Sequence, residues 1–352
     1  MRALPDSQRA LARRLGISPS TVSRALRDDP RISLATRNRV KQAAGRLRQA
    51  VPFAQPSAGA PAPGEAPDLA TAPLGMVIAN PAGGLRGDQF FRDVTEAALA
   101  YVARTGRQLM LEAVSGRRGA PLPKLVEQRV VAGVLVGGVP IDDEWLDRLT
   151  AGPVPVVTIG KYTARFQQYF AAIPDNVAGG YLAGQHLVEC GYDEWWFVGG
   201  DLAIQTFADR LAGMRRALGG RRVEVVIGGI DEEAGLQAAA VLAERAHRGA
   251  RPGVFAATDW LASGLARGLR QQGVHVPEAV GVVGYSDLEL ASHTTPRLTT
   301  IRVNRQQLAW LACRLLEDRI AGVLTHPVQA FIQPELVVRE STQRKGQPDA
   351  EK

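Results

Sequence analysis

The nine residues Ser18–Leu26, SPSTVSRAL, carry three serines, one threonine and one arginine near the start of a 352-residue chain. A helix that needed only to be soluble would use Glu, Lys and Ala, which lose less on becoming helical. Ser18 and Pro19 form an N-cap and first-turn pair, and Val22, Ala25 and Leu26 recur on one face. Burying that face leaves Ser18, Pro19, Ser20, Thr21, Ser23 and Arg24 on or near the outer one. Short hydroxyls with a single Arg suit a surface that must come close to something polar and anionic. The N-terminal half of a recognition helix meets base edges in the major groove, and its free amides favour phosphate. A guanidinium at Arg24 matches guanine O6 and N7.

The flanking residues complete a small helical head. Ser7 caps a helix expected to run to about Leu15, with Leu11, Ala12 and Leu15 inward, and Gly16 stops it in the left-handed position. A third helix starts at Ser33, with Ile32 as a staple, and turns Val40, Ala44 and Leu47 inward. Together these spacings predict a helix-turn-helix. Charge agrees: residues 1–50 hold 12 Lys/Arg against 3 Asp/Glu, a net +9, whereas the rest of the chain is at −2. A basic head on a near-neutral body is the pattern of a phosphate-binding module joined to something else.

From Ala50 to Pro73 the chain reads AVPFAQPSAGAPAPGEAPDLATAP, whose six prolines preclude an uninterrupted helix and predict an extended tether. After Leu74, apolar strands alternate with amphipathic helices: LGMVIAN, RQLMLEAV, GVLVGG and PVVTIG, then a fresh start at WWFVGG followed by VEVVIGG, GVFAAT and VGVVGY. Short apolar strands separated by helices predict parallel, doubly wound sheets, and the length favours two of them. Ligands of such folds sit beyond the carboxyl ends of the strands, so a cleft between two lobes is the expected site. The domain reading is therefore a head at 1–49, a linker at 50–73, a two-lobed core at 74–345 and a tail at 346–352.

No catalytic set assembles. The five His are scattered singly, and NPAGGLRG at 80–87 lacks both the dinucleotide fingerprint and a P-loop Lys. No cofactor or metal is implied. Cys190 and Cys313 have no metal spacing and read as buried free thiols in a reducing compartment. With no signal-like N-terminus and no membrane-length apolar run, the expected location is the cytoplasm.

The stretch LARRLGISPSTVSRALRDDPRISLATRNRV resembles the DNA-binding head of the lactose-repressor (LacI/GalR) family of bacterial transcription regulators, through Ala12–Gly16, Ser18, Thr21-Val22-Ser23-Arg24, Ile32-Ser33 and Thr36-Arg37. The body is similar to that family's periplasmic-binding-protein-like core at PDNVAGG, DRLAGM, AATDWLASGL, VPEAVGVVGYSD, PRLTTIRV and PELVVRES. The resemblance implies a sequence-specific repressor that binds double-stranded operator DNA as a homodimer, with a chain that crosses three times between its lobes. It implies a small, carbohydrate-like effector between those lobes. It makes Pro19 and Ser20 the operator-dependent pair, and places Phe90, Phe91, Arg210, Ile230, Thr258 and Ser286 at the effector positions. Ser286, Thr258 and Ile230 stand where sugar-binding members usually have Asp, Asn and an aromatic. Asp175 is expected to cap a helix rather than touch ligand. The family's Tyr-x-Pro-Asn turn and hinge helix have no counterpart in 50–73. A solute-binding protein for carbohydrate uptake would share the core, but it would carry an export signal and no helix-turn-helix.

Overall fold

The computed structural model describes residues 17–26, 29, 31–33, 36, 40, 69, 71–79, 88–139 and 141–343. The chain divides into two units, Met1–Ala60 and Pro61–Lys352, and the division falls inside the proline-rich linker.

In the first unit, α1 spans Pro19–Leu26. Ser18 starts it as the capping rule requires: its Oγ accepts the Thr21 N–H at 3.1 Å and lies 2.8 Å from Thr21 Oγ1. Val22 and Ala25 are fully buried, and Arg24 is exposed. Ser33 repeats the device, accepting from the Thr36 N–H at 3.3 Å, and Val40 is buried as expected. Beside them, Asp29 holds Arg31 through two charged hydrogen bonds of 2.9 and 3.0 Å, which bring the Asp29 carboxyl down to about 2. The helix expected over 7–15, its Gly16 stop, Ala44 and Leu47 lie outside the described residues, as do the side chains of Pro19, Ser20, Ser23 and Leu26.

In the second unit, the apolar runs become two six-stranded sheets. The first contains β1 (Leu74–Ala79), β2 (Leu109–Val114), β3 (Gly133–Gly138), β4 (Val156–Ile159), β5 (Ala171–Pro174) and β11 (Gln329–Ile332). Their order is β11-β5-β4-β3-β1-β2, all parallel. Every residue of β1 and β3 is buried, which is why these strands read as continuous apolar runs. Leu74, Met76 and Ile78 face the side covered by α2 (Gln89–Thr105) and α8 (Arg305–Ile320), while Val77 and Ala79 face Trp145 of α3 (Asp143–Thr150).

The second sheet contains β6 (Glu194–Gly199), β7 (Val223–Ile227), β8 (Pro252–Ala256), β9 (Gly281–Ser286), β10 (Thr299–Arg302) and β12 (Glu335–Val337), in the order β12-β10-β9-β8-β6-β7. Its helices pair as α4 (Asn176–Glu189) with α5 (Gln205–Ala217) and α6 (Glu232–His247) with α7 (Asp259–Gln271). The chain crosses between lobes three times, at Asp175, at Val303–Asn304 and at Gln333–Pro334. One expectation needs correction: the second sheet is not wholly parallel, because β12 runs against β10. Only two residues separate β11 from β12, so the chain re-enters the second lobe at the carboxyl edge it faces, with Glu335 opposite Arg302. A parallel entry would need a crossover of a dozen residues or more.

Candidate functional site

The carboxyl ends of both sheets meet at the three crossings, and charged side chains connect the lobes there. Lys161 follows β4 in the first lobe. Its Nζ lies 2.7 Å from Asp209 Oδ2 on α5 of the second lobe, with both side chains nearly buried. Gln205 Nε2 donates to the other Asp209 oxygen at 2.7 Å, and Thr206 Oγ1 donates to the Lys161 carbonyl at 2.8 Å. The ammonium also sits over the Phe166 ring, 4.0 Å from its centroid.

A second tie lies at the second crossing. Arg305, the first residue of α8, pairs with Asp93 of α2 at 2.9 Å and donates to the carbonyls of Ser286 and Asp287 at the end of β9. Those carbonyls belong to consecutive residues with φ of 113° and 51°, a region that Ser and Asp seldom adopt. At the first crossing, Asp175 caps α4 by accepting from the Ala178 N–H at 2.9 Å, as expected, and accepts from Gln333 Nε2 at 3.1 Å.

The expected effector residues divide into three groups. Arg210 lies over the carboxyl ends of β8 and β9: its Nε donates to Asn176 Oδ1 at 2.9 Å, its Nη1 to the Ala257 carbonyl, and its guanidinium stacks 3.5 Å from the Tyr285 ring centroid. Burial pushes its pKa down. Ser286 ends β9 and is buried, and Phe90 is half-buried against Phe91 with ring centroids 5.2 Å apart. Phe91, by contrast, is a core residue: its ring fills the space over Gly137, where a β-carbon would lie 2.1 Å away. The Thr258 hydroxyl is committed to local structure, capping α7 through the Leu261 N–H at 3.1 Å and donating to the Ile230 carbonyl at 2.8 Å. Ile230 stays 39 % exposed. Cys313 is buried as expected, but Cys190 is only half-buried beside His186.

The sequence reading missed Lys161, Arg305 and Tyr285. A usable signal existed for the first two: each is a cation within three residues of the carboxyl end of a strand, β4 for Lys161 and β10 for Arg305. Tyr285 is hidden in the strand run GVVGYS, because nothing local distinguishes its hydroxyl from a core aromatic.

Beneath the cleft, Asp259 is fully buried, accepting from Thr300 Oγ1 at 2.6 Å and from the Leu288 N–H at 2.7 Å. Burial carries its carboxyl from 3.8 up to about 6. Between those values the folded chain keeps a proton that the unfolded chain has released. This contribution to stability is therefore complete below the unfolded value and is lost as pH rises through the folded one. In Asp259→Asn the slope of unfolding free energy against pH should flatten in that window, as read by urea titrations. An unchanged slope would assign it to other groups.

Comparison with known proteins accords with this architecture. Residues 9–48 match the family of bacterial regulatory proteins, lacI family, and residues 185–342 match the periplasmic binding protein-like domain. The HTH-type transcriptional regulator CelR of Thermobifida fusca is 29 % identical over 343 residues, which is 93 % of this chain and 95 % of the relative. The HTH-type transcriptional repressor PurR of Vibrio parahaemolyticus is 28 % identical over 346 residues, 95 % of this chain and 98 % of the relative. Among solved structures, a complex of the transcriptional regulator CelR with cellobiose superimposes with a TM-score of 0.70 at 28 % identity, covering 97 % of this chain and 100 % of that one. This chain therefore carries a head that matches the lacI family of bacterial regulatory proteins and a core that matches the periplasmic binding protein-like domain, and its similarity to the regulators CelR and PurR runs almost end to end.

Proposed function

We propose that the protein is a sequence-specific DNA-binding transcriptional regulator, a repressor that acts as a homodimer and whose operator affinity is set by a small carbohydrate-like effector in the cleft. One observation carries the reading: a Ser18-capped helix buries Val22 and Ala25 and exposes Arg24 in a strongly basic segment, and that segment is joined to a two-lobed core. The related regulator CelR holds cellobiose in its complex, which supports a carbohydrate-like ligand for the same cleft here. A single small head buries too little surface for useful specificity, and two heads match a symmetric operator. Such a protein works on cytoplasmic DNA and catalyses no reaction of its own.

Within the head, the reading assigns base contacts to Ser18, Pro19, Ser20, Thr21, Ser23 and Arg24. Thr21 is half-buried with its hydroxyl beside Ser18, so it orders the helix start as well as facing DNA. In the cleft, the reading assigns effector contact to Arg210, Ser286 and Phe90, with Ile230 and Thr258 at the rim. Because the linker lacks the family's hinge pattern, affinity rests on dimerisation more than on a wedge in the minor groove.

Arg24→Ala should weaken cognate binding by about 1–3 kcal/mol and relax base choice at one position. Fluorescence anisotropy on a selected operator and its single-base variants reads both effects. Equal losses on every variant would make Arg24 a phosphate contact only. If the full chain selects no sequence from a random duplex pool, the regulator reading itself fails. The solute-binding alternative has no observation in its favour that the regulator lacks.

A further inference from the structure

The turn at 286–288 carries consecutive residues, Ser286 and Asp287, with φ of 113° and 51°. Residues other than glycine keep such values only where their surroundings over-determine them. Three sets of bonds do so here. The Asp287 carboxylate is gripped by Arg302 Nε and by Arg339 Nη2, each at 2.7 Å. The carbonyls of Ser286 and Asp287 accept from Arg305. The N–H groups of Asp287 and Leu288 both lead to Asp259. Leu288 donates to its Oδ2 directly at 2.7 Å, and Asp287 donates at 3.4 Å to Thr300 Oγ1, whose hydroxyl donates in turn to Asp259 Oδ1 at 2.6 Å.

Asp259 is the first residue of α7 and is fully buried, and it fits there because residue 284 is Gly, where a β-carbon would lie 2.3 Å from its Oδ1. The turn it supports is joined through Arg305 to Asp93 of the other lobe. A carboxylate accepts on both oxygens, whereas a protonated carboxyl turns one of them into a donor. Protonation therefore breaks one of the two N–H lines, and the strained turn can relax and carry its carbonyls away from Arg305. Burial raises the Asp259 carboxyl to about 6, against its two hydrogen bonds, which favour the ionised form. Three charged groups face it: Asp287 beyond β9, which raises it further, Arg339 of the C-terminal segment, which lowers it, and Arg210 of α5.

We propose that Asp259 is a positioning residue for the hinge between the lobes: its carboxylate locks the 286–288 turn so that the carbonyls of Ser286 and Asp287 meet Arg305, and the tie to Asp93 is complete only while both Asp259 oxygens accept. That role rests on the effector-cleft reading above, since lobes that close on a ligand need a hinge. It also makes the hinge sensitive to acid. Above about pH 6 both N–H lines are satisfied and the tie is complete; as pH falls through that value the turn loosens. The pH slope of global unfolding described above has the opposite sign, because unfolding releases the cost of burying the charge, whereas loosening the turn leaves Asp259 buried.

The test needs no ligand and uses the full-length protein between about pH 5 and about pH 8, bracketing the Asp259 value. Amide hydrogen exchange of a peptide covering 286–290, corrected for the intrinsic rate, reads the turn, and the radius of gyration by solution scattering reads the lobes. Exchange in the turn should speed about tenfold from the upper to the lower end of the range, with the radius growing along the same curve. Asp259→Asn keeps the shape but offers one acceptor oxygen, so it should show the acid values at every pH. Thr300→Val removes only the Asp287 line and should give an intermediate, still pH-dependent turn, which keeps the proposal testable if Asp259→Asn does not fold. Arg305→Met should open the lobes at every pH, by a smaller step than Lys161→Met, and adding Asp259→Asn to it should open them no further, because both act through one tie. A flat parent curve, or a pH dependence that survives in Asp259→Asn, overturns the proposal and leaves the effector-cleft reading standing. Additive opening by Asp259→Asn and Arg305→Met places Asp259 outside the tie and overturns it as well. If Lys161→Met and Arg305→Met also leave the radius unchanged at every pH, the lobes do not move, and the effector-cleft reading falls together with the proposal.

Discussion

Gly180→Ala should destabilise the core by about 3 kcal/mol, lowering its thermal midpoint by roughly 6–12 °C, and should abolish ligand-induced stabilisation as well. Helices α4 and α5 touch backbone to backbone: a β-carbon on Gly180 would lie 2.0 Å from the Arg210 carbonyl oxygen, and one on Gly213 2.0 Å from that of Val177. Both obstacles are main chain, so no side-chain rotation relieves them and the helices must separate. Arg210 rides on the helix that moves. Its bonds to Asn176 and the Ala257 carbonyl and its stacking on Tyr285 are lost with the displacement. Gly184→Ala is the graded comparison, because its β-carbon would meet Ala217 Cβ and the Met214 carbonyl only at 3.0 Å, and its effect should be smaller. A Gly180→Ala protein that melts and responds to ligand like its parent would mean that α4 and α5 pack less closely than described.

Much of the architecture was legible because parallel strands buried on both faces cannot hide their apolar character. LGMVIA, GVLVGG and GVVGYS each stand out as runs bounded by turns, and the restart at Trp195 divided them between two sheets. The direction of β12 was not legible, since it depends on where β11 ends in space and not on the three residues of β12 itself. In the site, what could be read was local. Asp175 capping α4 follows from a rule about adjacent residues, and the same rule applied to Thr258 before Asp259 would have identified a cap where family position suggested a ligand contact. Phe90 and Phe91 show the limit of periodicity: adjacent on one helix, they differ only because Gly137 leaves room under one of them. The ties across the cleft join residues 48 and 212 positions apart, so no local pattern encodes them.

One of those ties should dominate the equilibrium between open and closed lobes. Lys161→Met keeps the length and apolar stem of the side chain but leaves Asp209, nearly buried, with Gln205 as its remaining partner. Removing one member of such a pair exposes the other to its full desolvation cost, about 3 kcal/mol at the lower end of the range for buried pairs. At about 1.4 kcal/mol per decade, that shifts closure roughly a hundredfold toward the open form. The expected readouts are a larger radius of gyration by solution scattering and a weaker apparent effector affinity, because only the closed fraction holds ligand against both lobes. The loss must have a particular signature if the pair is responsible. Removing the second charge too, as Lys161→Met with Asp209→Leu, should recover most of the closure, because two well-packed apolar groups leave no buried charge unpaired. The Arg305 tie to Asp93 and the Ser286 and Asp287 carbonyls remains intact in both proteins and keeps the hinge geometry constant. If the double variant opens as far as the single one, the ion pair is not what holds the lobes, and Thr206 on the Lys161 carbonyl together with Arg305 must carry the closure instead.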